Sequence, residues 1–400
     1  MSPLLLSSFT ATSCLGRGLD ATLASLRNQA GGLAPCRFGT SRLQAYIGEV
    51  AGVDDEVLPD ALASFDCRNN RLASLALRQD GFAEAVAQAI ARHGASRVAV
   101  MLGTSTGGIL ETEQAYRRRD PATGALPDDF NYARGHSPYG LADFVRHYFG
   151  LKGPAAVISS ACSSGAKVFA SARRMMQAGL VDAAIVGGVD TLCHTTLYGF
   201  NALELVSPQP CRPFDAARNG ISIGEGAAFA LLERMPAGPV ADDAVLLRGI
   251  GESSDAHHMS TPHPQGLGAR MAMRQALDDA GLEPGDIDYI NLHGTATRNN
   301  DAVEGKAVLD MFGATPCSST KGATGHTLGA AGAIEAVICA LALREGLLPA
   351  GINTTVPDPE LPLDYLLANR HQPVRHALSN AFGFGGTNCS LLFGRADALR

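Results

Sequence analysis

"SSACSSGAKVF", residues 159–169, joins a short apolar run, "AAVIS", to the small-residue start of a helix pattern, and Cys162 stands at the junction. A strand that turns directly into a helix presents the residue at the turn to a pocket. The helix start also offers unpaired N–H groups and the positive end of a dipole. Both favour thiolate over thiol, and backbone N–H groups at such a turn can bind an oxyanion. The competing reading is a buried thiol packed as a small hydrophobe. The rest of the chain decides between them.

On either side, apolar runs alternate with helix patterns. Strands are expected at "SRVAVMLGT" (96–104), "PAAVISSA" (154–161), "DAAIVGGVD" (182–190) and "GAAFALLER" (226–234), with a helix over "GAKVFASARRMMQAG" ending at Gly179. "MPAGPVADD", 235–243, has Pro and Gly and no periodicity, and reads as a linker. Beyond it the alternation restarts with "AVLLRGIGE", "ARMAMRQALDDAG", "IDYINLHGT" and "AVEGKAVLDMFG". The stretch from Leu328 to Leu343 is apolar nearly all round, so it should be buried on every side. Alternating strands and helices imply α/β with a mostly parallel sheet. In each half a Gly/Ser/Thr-rich turn leads into a long apolar helix, after Cys162 and around His326. The division expected is 1–236 and 243–400, two layered α/β halves.

Composition narrows the function. The 400 residues are 46% hydrophobic and 18% charged, with 45 Gly and no Trp, as in a well-packed soluble protein. A net charge of −7 argues against nucleic acid as a partner. No apolar run approaches the roughly 20 residues of a membrane span, and "MSPLLLSSFTATSCLG" reads as a first strand rather than a signal peptide. Nine cysteines stand singly, without a C-x-x-C pair, so a reducing, cytoplasmic setting is expected and neither disulfides nor zinc.

Three further stretches bear on Cys162. "NLHGTATRNND" (291–301) carries His293 in a polar loop at a strand end. "STKGATGHTLGAAG" (319–332) carries Lys321 and His326 just before the apolar helix, and "NAFGFGGTNCSLLFG" (380–394) is a glycine hinge around Phe384. A lone His is more often structural. Two histidines in loops together with such a cysteine fit nucleophilic acyl chemistry. His257, His258 and His263 in "DAHHMSTPHPQG" could suggest a metal, but adjacent histidines project in different directions and no carboxylate-rich outer shell is evident. "GFGGT" and "GTSTGGI" lack the spacing and setting of a dinucleotide site.

With "VAVMLGTSTGG", "SACSSG", "CRPFDAARNGISIGEGAA", "DAHHMSTPHPQG", "HGTAT", "KGATGHTLGAAG" and "FGFGGTN" in this order, the chain resembles the β-ketoacyl-acyl carrier protein synthases over essentially its whole length. The resemblance implies a thiolase-like layered αβαβα fold of two pseudo-symmetric halves. It also implies a Cys-His-His set: Cys162 as nucleophile, His293 and His326 as its partners, and Lys321 and Glu335 as supporting charges. Thr295 and Thr297 would bind the pantetheine arm, and Thr106 and Phe200 would line the acyl pocket. Phe384 would gate the site and lend its N–H, with that of Cys162, to an oxyanion hole. Ala296 and Arg298 depart from the family pattern and bear on the shape of the pantetheine channel. The histidine-rich stretch would be a mobile loop beside the active-site entrance.

The reaction implied is decarboxylative condensation of a malonyl unit on acyl carrier protein with an acyl group on Cys162, in fatty-acid or polyketide-type synthesis. It needs no metal or redox cofactor, since the substrates ride on phosphopantetheine. A homodimer is expected, with a ketosynthase-like paralogue as alternative partner. A thiolase acting on coenzyme A thioesters is a rival, but Cys389 after "GGTN" lacks the glycine-rich setting of a thiolase's second cysteine. A pocket-shaping partner subunit is another, and such subunits lack the nucleophile. For docking an acidic carrier, Arg68 and Arg71 in "CRNNRLASLALR" are preferred over Arg117–Arg119.

Overall fold

The expected strands form in the computed structural model, which describes residues 2–399. Ten strands run across the main sheet, with the two-residue strand Gly16–Arg17 paired onto the first of them: β1 Leu4–Ser13, β2 Val98–Gly103, β3 Ala155–Ile158, β4 Ala183–Asp190, β5 Gly226–Arg234, β6 Val245–Ser254, β7 Tyr289–Asn291, β8 Cys317–Ser318, β9 His376–Gly383 and β10 Thr387–Arg395. Their order across the sheet is β8-β7-β9-β10-β6-β1-β5-β4-β2-β3. Counted within each half, the order is third, second, fourth, fifth, first on both sides. The strand directions repeat too, antiparallel for first–fifth and fifth–fourth, parallel for fourth–second and second–third. The halves meet where Leu4 and Leu5 of β1 pair with Leu247 and Leu246 of β6. This repeat of order and direction reveals a duplication that sequence similarity is too weak to prove.

The mostly parallel sheet expected from the sequence is corrected. The central pairs β4–β5, β5–β1, β1–β6, β6–β10 and β10–β9 are antiparallel. Both faces of β5 are buried by helices, so "GAAFALLER" reads as the unbroken apolar run that usually marks a parallel strand.

Side-chain alternation sets the layers. Ala99 and Met101 of β2 face the centre, while Val98, Val100 and Leu102 face outward. The outward face is covered by α1 Arg68–Leu77, α2 Phe82–His93 and α3 Tyr139–Tyr148. On the far side, Leu378 and Leu392 pack under α5 Leu267–Ala280 and α6 Arg298–Phe312. Between the halves lie α4 Ser164–Gln177 and α7 Ala331–Glu345. Every residue of α7 from Ala331 to Leu343 is buried, as its all-round apolar sequence requires. Ile334, Val337, Ile338, Leu341 and Leu343 each contribute about 2 kcal/mol of burial.

α4 and α7 approach through glycines at their N-terminal ends. A Cβ on Gly165 would sit 2.7 Å from the Gly329 carbonyl oxygen, and one on Gly332 would sit 2.8 Å from the Ala166 nitrogen. This contact brings the turn before α4 against the turn before α7, and so Cys162 against His326. Among the described residues no helix is long and apolar enough to cross a membrane.

Candidate active site

The Cys162 turn is built by its serines. Ala161 adopts φ +52°, a left-handed conformation that costs a residue with a Cβ about 1 kcal/mol. Ser164 Oγ accepts from the Ser160 N–H at 2.9 Å and donates to the Ala161 carbonyl at 2.5 Å. Ser163 Oγ donates to the Ser160 carbonyl at 2.9 Å. The elbow held in this way points the sulfur into a cavity at the start of α4. Burial pushes the Cys162 thiol up to about 11, opposed first by the Lys321 charge and then by a hydrogen bond from the Phe384 N–H.

His326 Nε2 lies 3.1 Å from Cys162 Sγ. The Leu328 N–H donates to His326 Nδ1 at 3.2 Å, so a neutral ring carries its hydrogen on Nε2, facing the sulfur. The "NGISIGEGAA" stretch holds the histidine's backbone: its N–H donates to the Ser222 carbonyl at 2.7 Å, and its carbonyl accepts from Gly224 at 3.0 Å.

His293 stands with its ring centroid 5.4 Å from that of His326, nearly perpendicular. Lys321 Nζ donates to the His293 carbonyl at 2.6 Å, approaches Nδ1 at 3.4 Å and pairs with buried Glu335. With Nδ1 facing a cation that only donates, the His293 hydrogen also belongs on Nε2. Burial and the Lys321 charge push both imidazoles well below the usual histidine value, so both are neutral near pH 7. The donor atoms of Cys162, His293 and His326 lie within 4.8 Å of one another, a spacing that could hold a metal ion. Ligation through Nε2 would move the His293 hydrogen to Nδ1, against the Lys321 cation, whereas two Nε2–H groups suit an oxyanion.

The three residues open into a cavity of about 620 Å³, also lined by Phe200, Thr295, Thr297, Arg298 and Phe384. Thr295 and Thr297 share a 2.9 Å hydroxyl–hydroxyl hydrogen bond. Phe384 packs on Phe200 at 5.8 Å between centroids and is followed by Gly385 and Gly386 at φ +81° and +73°. Its loop is tied to the histidine-rich segment: the Gly385 N–H donates to the Met259 carbonyl at 2.7 Å and the Asp255 N–H to that of Gly386 at 2.8 Å. Asp255 and Ser260–Pro262 form part of the wall.

Two expectations come out differently. Thr106 is buried away from this cavity, its hydroxyl donating to Asp190 Oδ1 at 2.7 Å. Arg68 is no docking residue: it is 3% exposed and forks onto Glu225 at 2.9 and 2.7 Å, with Asp54 at 2.5 Å. Its partner Glu225 lies 157 positions away, so a local reading sees only a polar helix start. Arg71 pairs with Asp66, and Arg118 with Asp129.

Two carboxylates that no sequence motif marks fix the loops. Glu304 accepts from the His293 and Gly294 N–H groups at 2.7 and 2.8 Å. Its pKa rises to about 7, because burial outweighs those hydrogen bonds. Asp190 plays the corresponding part in the first half. "DAVEG" and "GGVDT" carry no motif, and only the hydrogen bonds single them out.

A thiol at a helix start, two Nε2–H donors opposite it and a thiolase-like double fold define an enzyme class that works through a cysteine thioester. The family profile for the β-ketoacyl synthase N-terminal domain matches residues 40–237, and that for its C-terminal domain matches residues 244–355. Nodulation protein E of Rhizobium meliloti is 37% identical over 362 residues, 86% of this chain and 88% of that protein. The 3-oxoacyl-[acyl-carrier-protein] synthase 2 of Staphylococcus aureus is 35% identical over 318 residues, 76% of each. Among solved structures, the ketosynthase ApeO in complex with its chain length factor ApeC from Xenorhabdus doucetiae superposes with a TM-score of 0.89, at 39% identity over 99% of this chain and 98% of that one. The ishigamide ketosynthase/chain length factor gives 0.88 at 29% identity over 98% and 99%. The chain belongs to the β-ketoacyl synthase family and is a condensing ketosynthase.

Proposed function

We propose that Cys162 carries the acyl chain and that His293 and His326 decarboxylate the malonyl unit. The observation that carries this reading is the convergence of Cys162 Sγ with a ring nitrogen of each histidine inside one cavity. In the first step Cys162 sulfur attacks the thioester of an acyl carrier protein. The carrier's sulfur leaves with the thiol proton, an exchange between thioesters of similar energy. Malonyl carrier protein then enters, and both Nε2–H groups donate to its thioester oxygen. The bond to the carboxylate breaks, CO₂ departs, and its electron pair becomes an enolate held by those donors in a dry pocket. The enolate carbon attacks the acyl carbonyl, whose oxygen is received by the N–H groups of Cys162 and Phe384. Collapse expels the Cys162 thiolate, which takes up one proton, and leaves a 3-oxoacyl carrier protein. The residues supply this chemistry without a metal or redox cofactor.

Phe384 blocks the malonyl site until acylation, and Thr295 and Thr297 hold the arm of the carrier. Carrier protein docks at the cavity mouth, where Arg298 is exposed and is the one Arg or Lys among the described lining residues. The division into units 1–236 and 243–400 follows the repeated strand order. The enzyme works as a dimer in the cytoplasm. Nine free thiols support that compartment, and the half-exposed apolar strand Ala155–Ile158, last in its sheet, supports dimerisation. Likeness to two ketosynthase/chain length factor structures favours a ketosynthase-like paralogue over a second copy as the partner. Acyl carrier proteins of graded chain length are incubated with malonyl carrier protein, enzyme and either partner. One CO₂ per 3-oxoacyl product is the expected result, and acyl hydrolysis without a new carbon–carbon bond overturns the proposal.

A further inference from the structure

Asp190 ends β4 with no exposed surface, and no cation pairs with it among the described residues. Its charge is met by five donors. Oδ1 accepts from the hydroxyls of Thr104 and Thr106 at 2.7 Å each, and from the Ser105 and Thr106 N–H groups at 2.8 Å each. Oδ2 accepts from the Gly329 N–H at 2.5 Å, with a longer contact from the Ser105 N–H at 3.1 Å. One carboxylate thus bolts the turn after β2, in the first half, to the turn before α7, in the second.

The second turn fixes His326. Leu328, whose N–H donates to His326 Nδ1, sits at φ +51°, a conformation that a side chain of its size adopts only when its surroundings impose it. The next residue is Gly329, held by Asp190. Space there is already taken: a Cβ on Gly329 would lie 2.8 Å from Asp190 Oδ2 and 2.9 Å from the Ser105 nitrogen. Without the anchor on Gly329, Leu328 is free to relax toward negative φ and swing its N–H away from His326. Nδ1 could then take the ring hydrogen and leave Nε2 bare.

We propose that Asp190 is a positioning residue for catalysis: by holding Gly329 it keeps Leu328 in its left-handed conformation and so keeps the His326 hydrogen on Nε2, facing the reacting thioester. The consequence for activity rests on the His326 role proposed above, while the tautomer itself can be read without activity.

Asp190→Asn tests it with almost no change of shape. The Ser105 and Thr106 N–H groups can only donate, so the Asn oxygen stays with them and its NH₂ faces the Gly329 N–H, donor against donor. The enzyme is labelled with ¹⁵N-histidine, and His326→Ala identifies the signals. The native protein should show an Nε2–H ring for His326. Asp190→Asn should show a substantial Nδ1–H fraction and at least a tenfold loss in the kcat for CO₂ release from malonyl carrier protein, with little change in KM. Gly329→Ala, which keeps the carboxylate but pushes the turn away, should shift the tautomer in the same direction, and it carries the test if Asp190→Asn does not fold. A native-like tautomer in a folded variant overturns the proposal, whether activity survives or falls. A shifted tautomer with an unchanged decarboxylation rate upholds the anchoring but refutes its catalytic consequence and the His326 role.

Discussion

The turn before α4 and the turn before α7 occupy equivalent places in the two halves, yet they do opposite work. The first is short: three residues separate the end of β3 at Ile158 from Cys162, and neutral serines hold the elbow. The second is longer, with a helical turn at Lys321–Thr324 before His326, and it carries the buried Lys321–Glu335 pair. Each includes a left-handed residue beside the functional side chain, Ala161 or Leu328. The loops after the second strands differ in the same sense. Thr104–Thr106 are clamped by Asp190 and present no reactive group, whereas His293 and Gly294 are clamped by Glu304 and present an imidazole. One scaffold, used twice, supplies a nucleophile from one copy and hydrogen-bond donors with their charges from the other.

The largest effect should follow from removing the first half's single contribution. Cys162→Ala replaces one small residue by another at a helix start, so the fold should survive while acyl transfer and condensation vanish. Condensation by a folded Cys162→Ala would break the division of labour outright. The native thiol should also respond to pH. With its pKa raised to about 11, Cys162 is mostly protonated near neutrality, so alkylation by iodoacetamide should accelerate about tenfold per pH unit between about pH 7 and 9. A rate that levels off near neutrality would mean that the helix start and the Phe384 N–H outweigh burial.

In the second half, Lys321→Met removes one partner of a buried pair and the anchor of His293. Chemical denaturation should register a loss of about 3 kcal/mol, the lower end for such a change, because Glu335, already raised to about 7, can take up a proton. Adding Glu335→Gln should recover part of that stability but not the condensation rate. Equal recovery of both would make the pair purely structural. A smaller effect is expected at the gate: Phe384→Ala should slow condensation severalfold and weaken the order of substrate binding, and unchanged kinetics would reduce the glycines to a strand turn. Smallest is Arg298→Glu, which should raise the KM for carrier-linked substrate and leave a small pantetheine thioester nearly untouched. A rise for both would point to a distorted channel instead.

The sequence carried the local part of this arrangement. Strands and helices followed from apolar runs and their periods, with "GAAFALLER" matching β5 end to end. Cys162, His293 and His326 could be picked out because reactive side chains in Gly/Ser/Thr-rich turns are chemically conspicuous. Strand direction was not legible, since a strand buried on both faces reads the same in either sense. Nor was the burial of Arg68, which depends on Glu225 from a distant strand end. Asp190 and Glu304 stayed hidden for a related reason. Their partners are mostly backbone N–H groups, which every residue type provides.

The division between the halves is tested most directly by following both half-reactions in His293→Ala and His326→Ala. Intact mass and peptide mapping report the acyl adduct on Cys162, and labelled malonyl carrier protein reports CO₂. Both variants should still load the acyl group on Cys162 and on none of the other eight thiols, while CO₂ release falls by about 10² or more. Release of CO₂ at the native rate by either variant, or loss of loading that matches the loss of CO₂, would contradict the account.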